Sequence, residues 1–441
     1  MIKIKLNRKS FMGGVKVPEN KFAQAERIEE FPAPEKAILP LSQHIGAPCE
    51  PVVKRGDKVK TGQKIADTKA FVSAPIHASI SGKVTGFSKT VNPSSGRIED
   101  AIVIESDGED KWDDMERMDL NTPRDELLKR IKDAGIVGLG GATFPTHVKL
   151  SPPKDKEIDT VILNGCECEP YVTSDHRVML EEGEKVLLGL EVIKKVLSCN
   201  NAIIAIEENK EDAISHINDL IKKKKLKTKV VSLKTKYPQG GEKVLVKVLL
   251  NREVPLGGLP LDVGVVVQNV STAKAIYDAI FEGKALIGRV VTVTGMVRKP
   301  KNLFVRFGTP IASLLDYCGG MEEGANEVVA GGPMMGISLP TLDLPVTKSV
   351  NCILIKRGLI LKERGCIRCG SCVKVCPMNL LPTELVKYAK IGMYDVCREY
   401  YIDDCMECGS CAYVCPANIP IVQYIKVAKN EIRKRNKANS R

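Results

Sequence analysis

One cysteine pattern, written twice, constrains this chain more than any other feature. Cys366-x2-Cys369-x2-Cys372-x3-Cys376-Pro377 recurs as Cys405-x2-Cys408-x2-Cys411-x3-Cys415-Pro416. The tight spacing lets one loop wrap three corners of a cubane, and thiolates bind both ferrous and ferric iron. Each copy therefore points to a [4Fe–4S] cluster. Zinc ribbons use paired Cys-x2-Cys units, but not four cysteines ending in Cys-Pro, twice. A disulfide framework needs a secreted chain, and no N-terminal stretch joins a charged segment to the apolar core of a signal peptide. The reading is a protein that moves single electrons.

The same run occurs in bacterial two-cluster ferredoxins, where the fourth cysteine serves the other cluster. The expected sets are Cys366, Cys369, Cys372 with Cys415, and Cys405, Cys408, Cys411 with Cys376. Helical stretches at 382–390 and 391–400 separate the two runs. That interval is long for a compact β-containing ferredoxin, so an α-helical ferredoxin domain is expected. Cys49, Cys166, Cys168, Cys199, Cys318, Cys352 and Cys397 stand outside both runs.

At 441 residues the chain exceeds what one core usually holds, and several domains are expected. No apolar run approaches the length that crosses a bilayer. The balance of 66 Lys+Arg against 54 Asp+Glu leaves +12, much of it local. Lys222 to Lys225 with Lys227 and Lys229 form one run, and 431–441 form a basic tail. Such runs are ordinarily solvated helix ends or tails. They also suit an anionic membrane surface, at about 1 kcal/mol per basic residue. Neither is interleaved with aromatic residues, which argues against nucleic acid.

Five segments are expected: 1–110, 111–285, 286–348, 349–430 and the tail 431–441. The first begins as an extended arm. Residues 37–90 then read as short strands with turn signals at Gly56-Asp57, Gly62-Gln63, Ala74-Pro75 and Ser81-Gly82. This spacing resembles the barrel-sandwich hybrid of biotinyl and lipoyl carrier domains. Lys69 lies near the carrier-lysine position without the usual flanking residues, so the module reads as structural. Residues 122–285 alternate helices (123–134, 182–197, 211–225, and from Thr272) with apolar strands (160–163, 201–206, 263–267), an α/β layer pattern. Thr122 is the expected cap of the first helix. Residues 286–345 read as a small β-rich domain with one helix at 310–317.

Residues 135–149 form a glycine-dense loop, Gly138-x-Gly140-Gly141-x2-Phe144-Pro145-Thr146-x2-Lys149. Such a loop lets backbone N–H groups approach a phosphate, though many glycine loops are simple turns. It lacks the G-x-G-x-x-G spacing of a Rossmann fingerprint. It does resemble the flavin loop of the NADH- and FMN-binding subunit of respiratory complex I. Asn164-Gly-Cys-Glu167-Cys-Glu169-Pro170, Tyr237-Pro-Gln-Gly240-Gly241-Glu242 and Gln268-Asn269-Val270-Ser-Thr272 follow in the same order as that subunit's motifs. Leu139 stands for its arginine, Thr143 for a glycine, Cys166 for an aspartate and Gly241 for a glutamate.

A closer likeness covers nearly the whole chain. Phe11-x-Gly13-Gly14-Val15, Gln43-His44-Ile45-Gly46-Ala47-Pro48, Ser174-Asp175-His176-Arg177, Gly331-Gly332-Pro333-Met334-Met335-Gly336 and the twin cysteine runs resemble the RnfC members of Rnf electron-transport complexes. The NqrA member of sodium-pumping NADH:quinone reductase is a more distant relative. The resemblance implies a barrel-sandwich hybrid, an α/β flavin domain, a soluble-ligand-binding β-grasp domain and an α-helical ferredoxin domain. It implies a peripheral subunit on the cytoplasmic side of the cell membrane, in an ion pump coupling ferredoxin and NAD, with the other subunits as partners. It places FMN against Gly138, Gly140, Gly141, Lys149, Asn164, Glu167, Gly240, Asn269 and Thr272. NAD(H) falls near Phe144, Glu169, Tyr237 and Glu242.

Electron counting gives the chemistry. NADH delivers two electrons as hydride and a cluster takes one, so FMN is the expected converter and no catalytic side chain is needed. A flavin-dependent cobalamin reductase and a non-catalytic electron-relay scaffold are the alternatives. Cys166, Cys168, His147 and His176 are read as packed or hydrogen-bonded structural residues. Iron and flavin measured on one anaerobic sample are expected to show both; iron without flavin would leave only the relay.

Overall fold

The computed structural model describes residues 10–359 and 361–439. Residues 1–9 of the expected arm, and 360, 440 and 441, lie outside them. Lys36–Pro40, Ile98–Ser106, Gly82–Val91 and Lys58–Val59 form an antiparallel sheet in that order. Glu50–Pro51, Lys64–Asp67 and Ile76–His77 form a second. Ala37 and Leu39 lie opposite Ile104 and Ile102, all fully buried, and the neighbouring Pro40, Ala101 and Val103 are buried as well. Ile65, Ile76, Ile80 and Val84 join the same core, which makes the two-sheet barrel-sandwich.

The next unit is a four-stranded, wholly parallel sheet ordered Thr228–Leu233, Asn201–Glu207, Thr160–Gly165, Val265–Asn269. Val161, Ile162, Leu163 and Val265, Val266, Val267 are buried on both faces, as a helix-covered parallel sheet requires. Glu211–Lys224 shows how its helices are written. Ala213, Ile217 and Ile221 make the buried stripe, Glu211 and Asp212 open the first turn, and Lys222, Lys223 and Lys224 close the last. Both charge groups oppose the helix dipole favourably. The lysine run is thus a solvated helix end.

The β-grasp unit is built on Gly288–Gly295 and Lys301–Arg306, followed by the helix Ile311–Tyr317. Its six-stranded mixed sheet takes Ile28–Glu30 of the N-terminal arm as a parallel edge beside Lys301–Arg306. The cysteine-rich unit is helical: Ser371–Lys374, Pro382–Lys390, Tyr394–Glu399, Ser410–Tyr413 and Ile421–Asn439. It has its own apolar core, including Leu385, Val386, Cys397, Ile402 and Ile425.

Four details differ from the sequence reading. Pro123, not Thr122, caps Arg124–Asp133; the Thr122 hydroxyl accepts from the Asp119 N–H instead. The last parallel strand ends at Asn269 and its helix starts at Val270, because the Asn269 side chain caps the N–H groups of Ser271 and Thr272. The second helix between the cysteine runs starts at Tyr394, after the left-handed Gly392. The basic tail is helical through 439, because Ile421, Val422, Ile425, Ala428 and Ile432 give it a buried stripe.

Gly189, in the helix Gly183–Val196, faces Val270–Tyr277; a Cβ there would lie 1.8 Å from the Ala273 carbonyl oxygen. Alanine normally improves a helix, but here overpacking should win. Gly189→Ala is expected to cost about 1–3 kcal/mol in denaturant unfolding, against the roughly 1 kcal/mol gain an open site would give.

Candidate functional site

The parallel sheet changes winding direction at its inner strand. Thr160–Gly165 pairs with Asn201–Glu207 on one side and Val265–Asn269 on the other. The connections leaving these strand ends diverge and open a crevice, where open α/β sheets bind ligands. Asn164 and Asn269 are direct register partners at that end.

The glycine loop lies over this crevice. It closes on itself through Gly138 N–H to Phe144 O, 2.9 Å, and Thr143 N–H to Gly138 O, 3.1 Å. Leu139 N–H donates to Thr272 Oγ1 at 2.8 Å, which holds the loop to the capped helix. A Cβ on Gly140 would touch the Asn269 side chain at 3.4 Å, whereas Gly141, at φ +120°, faces open space. Gly241 begins the helix Glu242–Leu250, and Lys149 forms an ion pair with Glu242 at that helix start. Helix N-termini, loop N–H groups and a lysine make a cradle for an anion such as a flavin phosphate. The residues present fit FMN.

The wall is a turn after Thr160–Gly165. Asn164 Nδ2 donates to Gly240 O at 2.8 Å, and its Oδ1 accepts from Cys166 N–H at 3.1 Å. Glu167, left-handed at φ 47°, accepts from the N–H groups of Asp175 (2.6 Å) and His176 (3.2 Å) at the start of Ser174–Glu181. Asp175 in turn accepts from Asn269 Nδ2 at 2.7 Å and Ser271 Oγ at 2.5 Å. Burial, and then the neighbouring Glu167 carboxylate, raise the Asp175 carboxyl to about 6. Arg289, buried, donates to Leu139 O at 2.8 Å. Of the nine residues that the resemblance assigns to FMN, Asn164, Glu167, Gly240, Asn269 and Thr272 are linked through these bonds, Gly138 and Gly140 join them through the loop, Gly141 faces open space and Lys149 is paired with Glu242.

The four assigned to NAD(H) are not alike. Phe144 is half-buried on the glycine loop, and Glu242 pairs with Lys149. Glu169 is turned to the β-grasp unit, where it accepts from Met334 N–H (2.7 Å) and Met335 N–H (3.0 Å). Tyr237 is 2% exposed and its hydroxyl donates to the Cys408 carbonyl at 2.6 Å. Both side chains are occupied at domain junctions.

Cys376, Cys405, Cys408 and Cys411 line one apolar cavity with Met378, Leu380 and Leu385. These are the four thiols expected together from the cross-over spacing. Burial raises the thiols of Cys376 and Cys405, the latter to about 11, so iron must displace protons to bind. In the other set, Cys372 neighbours Cys369 and Cys415, and Cys366 and Cys369 are exposed. Among the described residues no group of three or more His, Cys, Asp or Glu closes on a single metal ion.

Cys166 is fully buried, beside the Ala205 carbonyl, as a packed residue is. Cys168 Sγ accepts from Gly240 N–H at 3.4 Å. His147 reaches Phe71 O and His176 reaches Asp212, both structural contacts. Sequence reading missed Lys21, whose ammonium donates to the carbonyls of Glu167, Glu169 and Val172 at 3.0, 2.9 and 2.6 Å. It also missed Arg289; neither lies in a chemical motif. Asp175 stood in a quoted segment, where its place beside Ser174 marked a helix start.

Family models match in chain order: the RnfC barrel sandwich hybrid domain at 9–109 and the Nuo51 FMN-binding domain at 131–278. An SLBB domain follows at 290–338 and a 4Fe-4S dicluster domain at 365–419. The RnfC-type protein of the proton-translocating ferredoxin:NAD(+) oxidoreductase complex of Clostridium ljungdahlii is 48% identical over 89% of this chain and 87% of its own. Its counterpart in the Na(+)-translocating complex of Acetobacterium woodii is 44% identical over 88% and 89%. The counterpart in the ion-translocating oxidoreductase complex of Pseudomonas aeruginosa is 40% identical over 86% of this chain and 50% of its own length. The solved NAD+-reducing [NiFe]-hydrogenase in its H2-reduced state overlays at TM-score 0.48 and 17% identity, over 72% of this chain and 67% of that one, too loosely to argue from.

The raised Asp175 carboxyl has a definite sign. The folded state binds this proton more tightly than the unfolded chain, whose carboxyl has its ordinary value of 3.8. The group's contribution is therefore fully present below about pH 4 and is lost as pH rises through about 6. Asp175→Asn should flatten the fall in stability across that window, read as the melting temperature against pH.

Proposed function

Because the chain belongs to the RnfC family of ion-translocating ferredoxin:NAD(+) oxidoreductase complexes, we propose that it is the NAD(H)-reactive electron-transfer component of such a complex. Its partners are then the other subunits, a ferredoxin-type donor and NAD(H). The observation that carries this reading is the contact between the two centres: Tyr237, in the loop that leads to Gly240, hydrogen-bonds the carbonyl of the cluster-set residue Cys408.

FMN, held by the crevice, would supply the exchange between hydride transfer with NAD(H) and single-electron transfer with two [4Fe–4S] clusters. The protein's own residues do the rest. Asn164, Asn269 and Thr272 fix the strand ends and the glycine loop, and Lys149 supplies positive charge at the rim. Phe144 and Glu242 border its exposed side, where the dinucleotide approaches. Tyr237 and Glu169 serve that site through position. The set Cys376, Cys405, Cys408, Cys411 is the inner one, beside the Tyr237 loop. The set Cys366, Cys369, Cys372, Cys415, with two exposed thiols, faces an outside electron carrier.

No helix among the described residues is long and apolar enough to cross a membrane. The place we propose is peripheral, on the cytoplasmic face, with the lysines at the end of Glu211–Lys224 and the basic last helix suited to an anionic leaflet.

NADH added to the anaerobic protein should bleach a flavin band and then the cluster absorbance. No response to NADH, with iron present and flavin absent, would sink the reading; NADH-driven reduction of added cobalamin would favour the reductase. Lys149→Met should weaken FMN retention about tenfold or more, the worth of a hydrogen bond to a charged group, measured by flavin fluorescence released on dialysis.

A further inference from the structure

The N-terminal arm crosses between the cysteine-rich unit and the loop that carries Tyr237 at a place with no room for a side chain. Gly13 has φ +77°, and a Cβ there would lie 2.8 Å from the carbonyl oxygen of Cys376. Gly14 has φ +70°, and its Cβ would lie 2.5 Å from the carbonyl oxygen of Tyr237. Only glycine takes both conformations without strain, and only glycine fits both gaps. The squeezed backbone is bonded on each side. Gly14 N–H donates to Val375 O at 2.8 Å; Val15 N–H donates to Tyr237 O at 2.8 Å and Tyr237 N–H returns to Val15 O at 3.0 Å.

The two ends of this arrangement meet on one cysteine set. The arm touches Cys376 through its backbone, and the Tyr237 hydroxyl holds the carbonyl of Cys408. Both cysteines line the same apolar cavity. On the other side, Tyr237 leads within three residues to Gly240, whose carbonyl holds Asn164 in the crevice. Val15, Tyr237 and Cys408 share an apolar cluster with Cys168, Met334 and Met406, which excludes water from the junction. Farther along the arm, half-buried Lys21 donates to the three carbonyls of the 167–172 turn, so the strap is anchored at both ends.

We propose that the arm and Tyr237 form a two-point latch that sets the spacing between the inner cysteine set and the flavin crevice, with Gly13, Gly14 and Tyr237 as positioning residues for electron transfer between them. This rests on the function proposed above, and it gives Tyr237 a different task from contact with NAD(H).

Gly13→Ala and Tyr237→Phe test the latch from its two ends. Gly392→Ala is the control, since Gly392 is equally left-handed at φ +73° but has no atom within 4 Å of its Cβ position. Amide hydrogen exchange is followed at Val375, Tyr237 and the 405–411 loop, alongside iron and flavin content and rapid mixing with NADH. Both latch variants are expected to keep both cofactors and to bleach flavin at the wild-type rate. Exchange at the junction should quicken, and cluster reduction should slow several-fold relative to flavin bleaching, because tunnelling weakens with each ångström of added separation. The control should match the wild type. Unchanged exchange and unchanged cluster reduction in both variants overturn the latch. So does slowed flavin bleaching in Tyr237→Phe with cluster reduction otherwise normal, which returns the tyrosine to the dinucleotide. Failure of the wild type to respond to NADH would instead remove the proposed function, while the exchange data still decide whether the latch exists.

Discussion

Tyr237 is large, almost fully buried, and bonded through its hydroxyl to a carbonyl of another domain. A buried hydroxyl left without a partner costs about 1–3 kcal/mol, so the tyrosine and the Cys405–Cys411 loop hold one another in place. The cysteine-rich unit otherwise has an apolar core of its own, separate from the large core shared by the barrel, parallel sheet and β-grasp units. Its relation to the flavin crevice rests on a small cluster around Tyr237, together with the Lys243–Asp404 pair at 2.9 Å. Electron transfer needs a fixed separation, and these contacts supply it.

The two cysteine sets share a sequence pattern but not an environment. One surrounds an apolar cavity; the other presents Cys366 and Cys369 to solvent. Solvent exposure and hydrogen bonds to sulfur are among the terms that tune cluster potentials. The repeat therefore yields two unequal centres, an inner and an outer one, from one motif.

Three buried cations and the half-buried Lys21 act as struts. Lys348 donates to Pro75 O at 3.0 Å and Gly135 O at 2.8 Å, which ties the barrel to the start of the glycine loop. Arg289 donates to Lys348 O and Leu139 O, and Lys210 to Cys166 O. With Lys21, each satisfies backbone carbonyls of irregular turns that could not otherwise be buried. Desolvation lowers Lys348 to about 8 and Arg289 to about 10, the expected cost of holding charge away from water. The β-grasp unit thus braces the glycine loop at two points.

The cysteine spacing, the glycine loop and the apolar runs of the parallel sheet were local signals, and each led to the right element, since a period or a fixed spacing needs no knowledge of the rest of the chain. The cross-over of Cys376 came from the likeness to two-cluster ferredoxins, and the fold brings Cys376 to the cavity lined by Cys405, Cys408 and Cys411. The tasks of Glu169 and Tyr237 were not. A carboxylate beside a proline and a tyrosine near a glycine pair carry no mark of which domain will close over them. Lys21, Arg289 and the Gly13-Gly14 crossing were equally silent, because carbonyls as partners leave no trace in side-chain sequence. The sequence by itself determined the four domain types and the chemistry of the ligands. Only the tertiary structure decided which cysteine set lies inward and what holds it there, because packing across 171 residues between Tyr237 and Cys408 is set by shape and burial rather than by any local pattern.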